Sequence, residues 1–169
     1  MNEKSNQMLS PLSGTVVPLE QVSDPVFSTN ILGRGFAIKP ESGKLCSPAE
    51  CIVESISDTK HAYVLKTKQG LEMLIHVGLE TVYLKGKPFN CAVKSGDKVK
   101  AGDLICEIDL DMIKEAGADT IVPITFPKIP GDSKIEINYG KVKTGDEVMY
   151  IEEKKKLPDF KILKKLGIK

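Results

Sequence analysis

Two histidines, His61 and His76, are the side chains of this 169-residue chain best suited to chemistry near neutral pH. A neutral imidazole is a nucleophile that can accept a phosphoryl group and release it again, which divides a difficult transfer into two easier steps. A second imidazole beside it could donate a hydrogen bond to the phosphoryl oxygens, where charge spreads during the transfer. Two imidazoles and a carboxylate could instead hold zinc, but the sequence offers no third ligand near them.

The two histidines are expected to lie on neighbouring strands of one β-hairpin. The segment Lys68-Gln69-Gly70-Leu71 fits a turn with a two-residue loop, because its glycine can adopt the positive φ that such turns need. In that register Tyr63 would oppose His76, and His61 would oppose Gly78. All four positions would share one face of the sheet, and the two imidazoles would be diagonal neighbours close enough to meet.

The second strand of this hairpin carries an apolar stripe. Leu71, Met73, Ile75 and Val77 alternate along it and are expected to face the core. His76 is therefore expected on the opposite face. A slip of one residue at the turn would move one histidine to the other side of the sheet, so the predicted pairing depends on the turn.

The rest of the chain is dominated by short apolar segments separated by glycine, proline, serine and aspartate. This pattern favours an all-β fold, an antiparallel β-sandwich or barrel-like structure with short helical turns. Val93–Val99 is echoed at 142–148, which indicates similar hairpin units used twice to build one sandwich. Short helices are predicted at 25–32, behind Ser23-Asp24-Pro25, and at 111–117. The predicted strands are 14–19, 35–38, 51–56, 62–67, 72–77, 82–84, 104–108 and 148–151.

The length fits one well-buried domain, which we place at 11–153 between a flexible N-terminal segment, 1–10, and a basic C-terminal tail, 154–169. Two interpretations of the tail remain open. It is a frayed basic extension, or it is a short amphipathic helix that makes peripheral contact with anionic lipid or a membrane protein.

Composition excludes several classes of function. A net charge of +1 gives no general attraction to nucleic acid or to an anionic membrane. No segment approaches the roughly 18 apolar residues needed to cross a bilayer. Residues 1–10 lack the apolar stretch of a signal peptide. The chain is therefore expected to be cytoplasmic.

The sequence predicts neither a cofactor nor a metal. Its four cysteines form no Cys-x-x-Cys pair and are not spaced with the histidines as zinc ligands would be, so free thiols are expected. Nucleotide-binding loops and protein-kinase motifs are also missing, so the phosphoryl donor is not expected to be ATP bound to this chain.

Around the histidines the sequence resembles the glucose-family enzyme IIA of the phosphoenolpyruvate-dependent sugar phosphotransferase system. The similarity extends over about 11–151 and is specific because its segments occur in the expected order, with His61 and His76 fifteen residues apart. The segments are Pro11-Leu12-Ser13-Gly14, Gly33-Arg34-Gly35-Phe36-Ala37-Ile38-Lys39-Pro40, Thr59-Lys60-His61-Ala62, Leu74-Ile75-His76-Val77-Gly78-Leu79-Glu80-Thr81, Leu84-Lys85-Gly86 and Val93-Lys94-Ser95-Gly96-Asp97.

The resemblance implies an antiparallel β-sandwich of the duplicated hybrid motif type, with a shallow apolar face around the histidines. It assigns the phosphoryl acceptor to His76 and support of the transferred group to His61. Thr59 would orient His61 by a hydrogen bond, and the backbone carbonyl of Gly78 would fix the tautomer of His76. The implied donor is the phosphorylated histidine phosphocarrier protein, and the implied acceptor is a cysteine of the IIB domain of a sugar permease. Phe36 would belong to the apolar rim on which both proteins dock.

The sequence departs from the family pattern at three positions. Arg34 stands where the family often has Asp, and Glu80 where it usually has Asp, so both bear on which partner docks. With Phe36 and Gly78 they complete the predicted partner-binding surface. Cys51 replaces a common glycine and brings the turn before it into question.

Two other functions remain open at this point. The chain could be a regulatory protein that signals sugar status through His76 phosphorylation by docking on transporters or metabolic enzymes. It could also be a lipoyl- or biotin-carrier hairpin, but it lacks a lysine in the expected Met-Lys-Met or Asp-Lys-Ala tip.

Overall fold

The computed structural model describes residues 7–129 and 133–152 of the chain. Within these residues nearly all regular structure is antiparallel β. The strands are β1 (Gln7–Leu9), β2 (Gly14–Pro18), β3 (Arg34–Pro40), β4 (Lys44–Cys46), β5 (Cys51–Ile56), β6 (Ala62–Thr67), β7 (Glu72–His76), β8 (Phe89–Cys91), β9 (Lys98–Val99), β10 (Leu104–Ile108), β11 (Val122–Phe126), β12 (Lys134–Ile137), β13 (Gly140–Val142) and β14 (Glu147–Glu152). The helices are α1 (Pro25–Ser28) and α2 (Leu110–Glu115), with 3₁₀ turns at Leu19–Gln21 and Thr81–Leu84.

The strands form one large sheet and two small ones. The large sheet has eight strands in the order β13-β2-β3-β11-β7-β6-β5-β9 and is not closed into a barrel. The small sheets are β1-β14-β12 and β4-β10-β8. The main core contains side chains from the inner face of the large sheet and from both small sheets. The predicted antiparallel all-β sandwich is confirmed.

The two strands that carry the histidine hairpin alternate as half-buried strands should. Met73 and Ile75 on β7 are fully buried, as are Tyr63 and Leu65 on β6. His76 alternates with the buried side chains of β7, together with Glu72 and Leu74, and is half-buried. The predicted core stripe on this strand is confirmed.

A second, smaller core covers the outer face of the large sheet. It joins Val17 and Ala37 on the sheet to Phe27 on α1 and to Leu79. Asp24 begins α1 by accepting a hydrogen bond from Val26 N, and Pro25 occupies the first turn. This core fixes α1 against the sheet beside His76.

Several predicted elements have different bounds in the structure. The segment 82–84 is a 3₁₀ turn, not a strand. Helix α1 ends at Ser28 instead of near residue 32. Asn30 has a positive φ of 60°, a conformation that is incompatible with continuing a right-handed helix. Strand β11 was not predicted because Pro123 interrupts its apolar run, although all five of its residues are buried.

The N-terminal boundary predicted at residue 11 is wrong for the residues just before it. Strand β1 pairs with β14, and Met8 and Ser10 are buried. These residues belong to the folded domain because pairing with β14 satisfies their backbone groups. Residues 1–6 and the predicted tail, 154–169, lie outside the described residues.

Candidate active site

His76 ends β7 and makes a defined hydrogen bond through one ring nitrogen. Its Nδ1 lies 2.7 Å from the backbone carbonyl oxygen of Gly78. Because a carbonyl only accepts, Nδ1 carries the proton and donates. The remaining nitrogen, Nε2, therefore holds the lone pair that a nucleophile needs.

His61 lies in the turn between β5 and β6 and is held by two hydroxyl groups. Its Nδ1 is 2.5 Å from Thr59 Oγ1 and 3.2 Å from Ser57 Oγ. Lys60, just before it, has a φ of +61°, so the chain reverses direction at this point. This turn, and not the strand pleat, determines where the imidazole of His61 lies.

The two imidazole rings meet on the outer face of the large sheet. Their centroids are 5.0 Å apart and their planes are inclined at 78°, so one ring presents its edge to the other. The ring of Phe27 lies against His76 on another side, with a centroid distance of 5.1 Å. An apolar ring and a polar ring therefore flank the candidate nucleophile.

The predicted hairpin register is wrong by one residue. Thr67 N donates to Leu71 O, so the loop has three residues, and Ala62 rather than Tyr63 opposes His76. Tyr63 consequently faces the core, where it is fully buried. His61 still reaches His76, because it precedes the first residue of β6 and does not follow the alternation of the strand.

Burial keeps both imidazoles neutral near pH 7. Burial lowers the pKa of His76, although the Gly78 carbonyl and the charge of Asp24 oppose that shift. Burial also lowers the pKa of His61, and the neighbouring His76 lowers it further. Two neutral imidazoles in contact fit nucleophilic chemistry better than a charged pair would.

Comparison with known proteins identifies the family. Residues 6–129 match the family described as phosphoenolpyruvate-dependent sugar phosphotransferase system, EIIA 1. The chain belongs to this EIIA family.

Relatives and a solved structure agree with this assignment. The glucose-specific EIIA component of Bacillus cereus is 39% identical over 158 residues, which cover 91% of this chain and 96% of the relative. The solved structure of glucose permease IIA from Mycoplasma capricolum superposes with a TM-score of 0.80 at 36% identity, covering 86% of this chain and 94% of that one.

Other relatives are much longer proteins. The glucose-specific EIICBA component of Staphylococcus carnosus is 42% identical over 143 residues, which are 85% of this chain but 21% of the relative. The EIIA chain thus spans about a fifth of the length of such relatives. In the part of the chain that the structure describes, none of the helices has the length and apolar character of a membrane span.

The residues predicted to form the partner-binding surface of this EIIA chain lie in different environments. Phe36 is 1% exposed and packs against Phe126 in the core, so it is not part of a surface rim. Arg34 is half-buried, and its Nη1 donates to Ser133 O over 2.6 Å. Glu80 is exposed. Phe36 lies on the face of β3 that packs on the main core. The sequence of this short strand does not show which of its two faces that is.

An acidic cleft beside α1 was not predicted. Asp24, Glu80 and Asp119 line it together with Leu79. Apolar side chains on the segments around it are also exposed, among them Ile31 (73%) and Tyr83 (78%). This surface was not predictable from a local pattern, because its residues come from three separate segments that only the fold brings together.

Gly78 is the position where the backbone of the site tolerates least change. Its φ is +77°, and a Cβ would lie 2.5 Å from Thr81 Cγ2 and 2.7 Å from the carbonyl oxygen of Asp119. We expect Gly78→Ala to cost about 2 kcal/mol of unfolding free energy beyond the cost of the positive φ alone. Urea unfolding would measure the difference.

Gly96→Ala is the matched control for that substitution. Gly96 also has a positive φ, +94°, but nothing lies within 4 Å of a Cβ placed there. We expect it to cost about 1 kcal/mol, the penalty for a left-handed alanine. An equal loss of unfolding free energy at both positions would show that the close contacts around Gly78 do not contribute to the cost.

The lowered histidine pKa values predict how stability depends on pH. The unfolded chain binds protons on both rings near their ordinary pKa of 6.5, whereas the folded chain resists protonation until lower pH. Stability from this source is constant above about pH 7 and falls as the pH drops through 6.5. NMR titration of the two rings and urea unfolding at several pH values would test this; midpoints at or above 6.5 would contradict it.

Proposed function

We propose that this chain is a phosphoryl carrier in the cytoplasm, which accepts phosphate on Nε2 of His76 from the phosphorylated histidine phosphocarrier protein. It then passes the phosphate to a cysteine of a sugar-specific IIB domain. The observation that carries this proposal is the 2.7 Å hydrogen bond from His76 Nδ1 to Gly78 O. That bond leaves Nε2 unprotonated on a ring that is in contact with a second imidazole.

Each transfer exchanges one phosphorus bond for another. The Nε2 lone pair of His76 attacks phosphorus as the bond to the nitrogen of the donor histidine breaks, and the donor ring keeps that electron pair. In the second step a cysteine thiolate of the IIB domain attacks phosphorus, and the bond to His76 breaks. His76 returns to the neutral form with which it began.

His61 is proposed to stabilise the group in transit. Its Nε2–H would donate to a phosphoryl oxygen, where charge accumulates, and the hydroxyl of Thr59 at 2.5 Å from Nδ1 would hold the ring in place. Because burial lowers the pKa of His61, the ring is neutral near pH 7 and offers one directed hydrogen bond from Nε2.

The surroundings of the histidines suit proteins as donor and acceptor. Carboxylates of Asp24, Glu80 and Asp119 lie beside exposed apolar side chains, a combination that fits a basic protein surface with an apolar centre. EIICBA relatives support a IIB domain as acceptor, and the full-length relatives named glucose-specific support glucose as the sugar served.

A reconstituted relay tests the proposal. The chain is incubated with phosphoenolpyruvate, enzyme I and the phosphocarrier protein, and acid-labile phosphate is measured before and after addition of a IIB domain. We expect one acid-labile phosphate per chain, which the IIB domain removes. A chain that takes up no phosphate, or takes it up in an acid-stable form, would refute the proposal.

A further inference from the structure

Ser57 makes several hydrogen bonds within the turn that carries His61, through both its backbone and its hydroxyl group. Its backbone carbonyl accepts from Lys60 N over 2.8 Å, which closes the turn, and its N–H donates to Ala62 O over 2.9 Å. The hydroxyl oxygen lies 3.1 Å from His61 N and 3.1 Å from Ala62 N. The backbone carbonyl of Ser57 thus accepts from Lys60, and its hydroxyl oxygen accepts from the N–H groups of His61 and Ala62.

These contacts determine the direction of the remaining one. A serine hydroxyl has two lone pairs and one hydrogen. Both lone pairs receive backbone N–H groups, because an N–H can only donate. The contact of 3.2 Å with His61 Nδ1 is then a hydrogen bond only if Ser57 donates and Nδ1 accepts.

We infer that Ser57 is a positioning residue that selects the tautomer of His61, with the proton on Nε2. Nε2–H is the donor that the transfer from His76 uses, so the functional consequence of this inference rests on the proposed function. The tautomer itself does not. With the proton on Nδ1 instead, the Ser57 hydrogen would point at another hydrogen.

Thr59 cannot make this selection by itself. No backbone donor occupies its hydroxyl among the hydrogen bonds described around the turn, so Oγ1 can donate to Nδ1 or accept from it at 2.5 Å. Thr59 accordingly orients the ring in either tautomer. Ser57 excludes one of them because its lone pairs are already in use.

Long-range ¹H–¹⁵N NMR spectra of the full-length chain at a pH above both histidine pKa values test the inference. Wild-type His61 is expected as the Nε2–H tautomer and His76 as the Nδ1–H tautomer. Ser57→Ala should turn the His61 signals into those of a mixture, and Ser57→Thr, which restores a hydroxyl, should recover the wild-type pattern. Ser55→Ala, an exposed serine two residues earlier, is the control and should change nothing.

A second variant guards against local unfolding of the turn in Ser57→Ala. Thr59→Ala leaves Ser57 as the hydroxyl at Nδ1, so His61 should remain Nε2–H. The inference is overturned if wild-type His61 carries its proton on Nδ1, if Ser57→Ala leaves the tautomer unchanged, or if Thr59→Ala abolishes the preference.

The relay assay gives the functional consequence. In Ser57→Ala we expect phosphate transfer from His76 to a IIB domain to slow by about tenfold, the factor expected for one neutral hydrogen bond, without a change in the KM for the phosphocarrier protein. A wild-type chain that takes up no phosphate would refute the carrier function and leave the tautomer result standing. Normal phosphorylation with an unchanged tautomer in Ser57→Ala would refute the role of Ser57 alone.

Discussion

His76→Gln is expected to abolish acid-labile phosphorylation of the chain. Glutamine can still donate an N–H to the Gly78 carbonyl, so the substitution removes the proposed nucleophile, Nε2, while keeping much of the local hydrogen bonding. The side chain is half-buried and lies outside the main core. Stability should therefore change by about 1 kcal/mol or less, and the loss should be one of chemistry.

The measurement is phosphate uptake from phosphoenolpyruvate through enzyme I and the phosphocarrier protein, with urea unfolding as the check on folding. The chain has one other histidine, His61, so the assignment needs few variants. Acid-labile phosphate that persists in His76→Gln would defeat the assignment of His76 as acceptor. Urea unfolding of the same sample shows whether a loss of labelling is caused by a loss of the fold.

His61→Gln is expected to separate phosphate uptake from phosphate transfer. His76 and its bond to Gly78 O remain, so the endpoint of labelling should still be reached. Transfer onward to a IIB domain should slow by about 10²-fold, the effect of removing one donor aimed at developing charge in a transition state. The variant should therefore accumulate in the phosphorylated form, because it transfers its phosphate to the IIB domain slowly.

Single-turnover kinetics distinguishes this expectation from simple loss of the site. The phosphorylated variant is isolated and mixed with the IIB domain, and the rate of discharge is compared with that of the wild type. Ser55→Ala, exposed on the strand that leads to the His61 turn, should transfer at the wild-type rate. Wild-type discharge by His61→Gln would show that the second imidazole has no part in the transfer.

The sequence by itself determined part of the local structure of this protein, including about half of its strands. Strands β5, β6 and β10 have the bounds predicted from their apolar runs, and the core stripe of β7 follows from alternation. The repeated Gly-Asp turns also have a local origin. Lys94 N and Lys143 N each bond the aspartate carboxylate three residues later, over 2.9 and 2.8 Å. Contacts between near neighbours decide all of these features, so a short window of sequence contains them.

The proximity of His61 and His76 was also predictable from the sequence, but the geometric reason for it was incorrect. The predicted two-residue loop places Tyr63 opposite His76, whereas the structure has a three-residue loop with Ala62 there. Leu71 N donates to Thr67 Oγ1, a side-chain contact that stabilises the longer loop. The histidines meet because His61 lies in a turn outside the strand, where the pleat does not apply.

The tertiary structure alone decided what surrounds the two imidazoles. Phe27 reaches His76 because a small second core joins α1 to the large sheet, and the same folding buries Phe36 on the opposite side. The acidic cleft combines Asp24, Glu80 and Asp119, which are far apart in the chain. Which face of a strand is covered, and by which loop, depends on packing between distant segments, and this information is spread over the whole sequence.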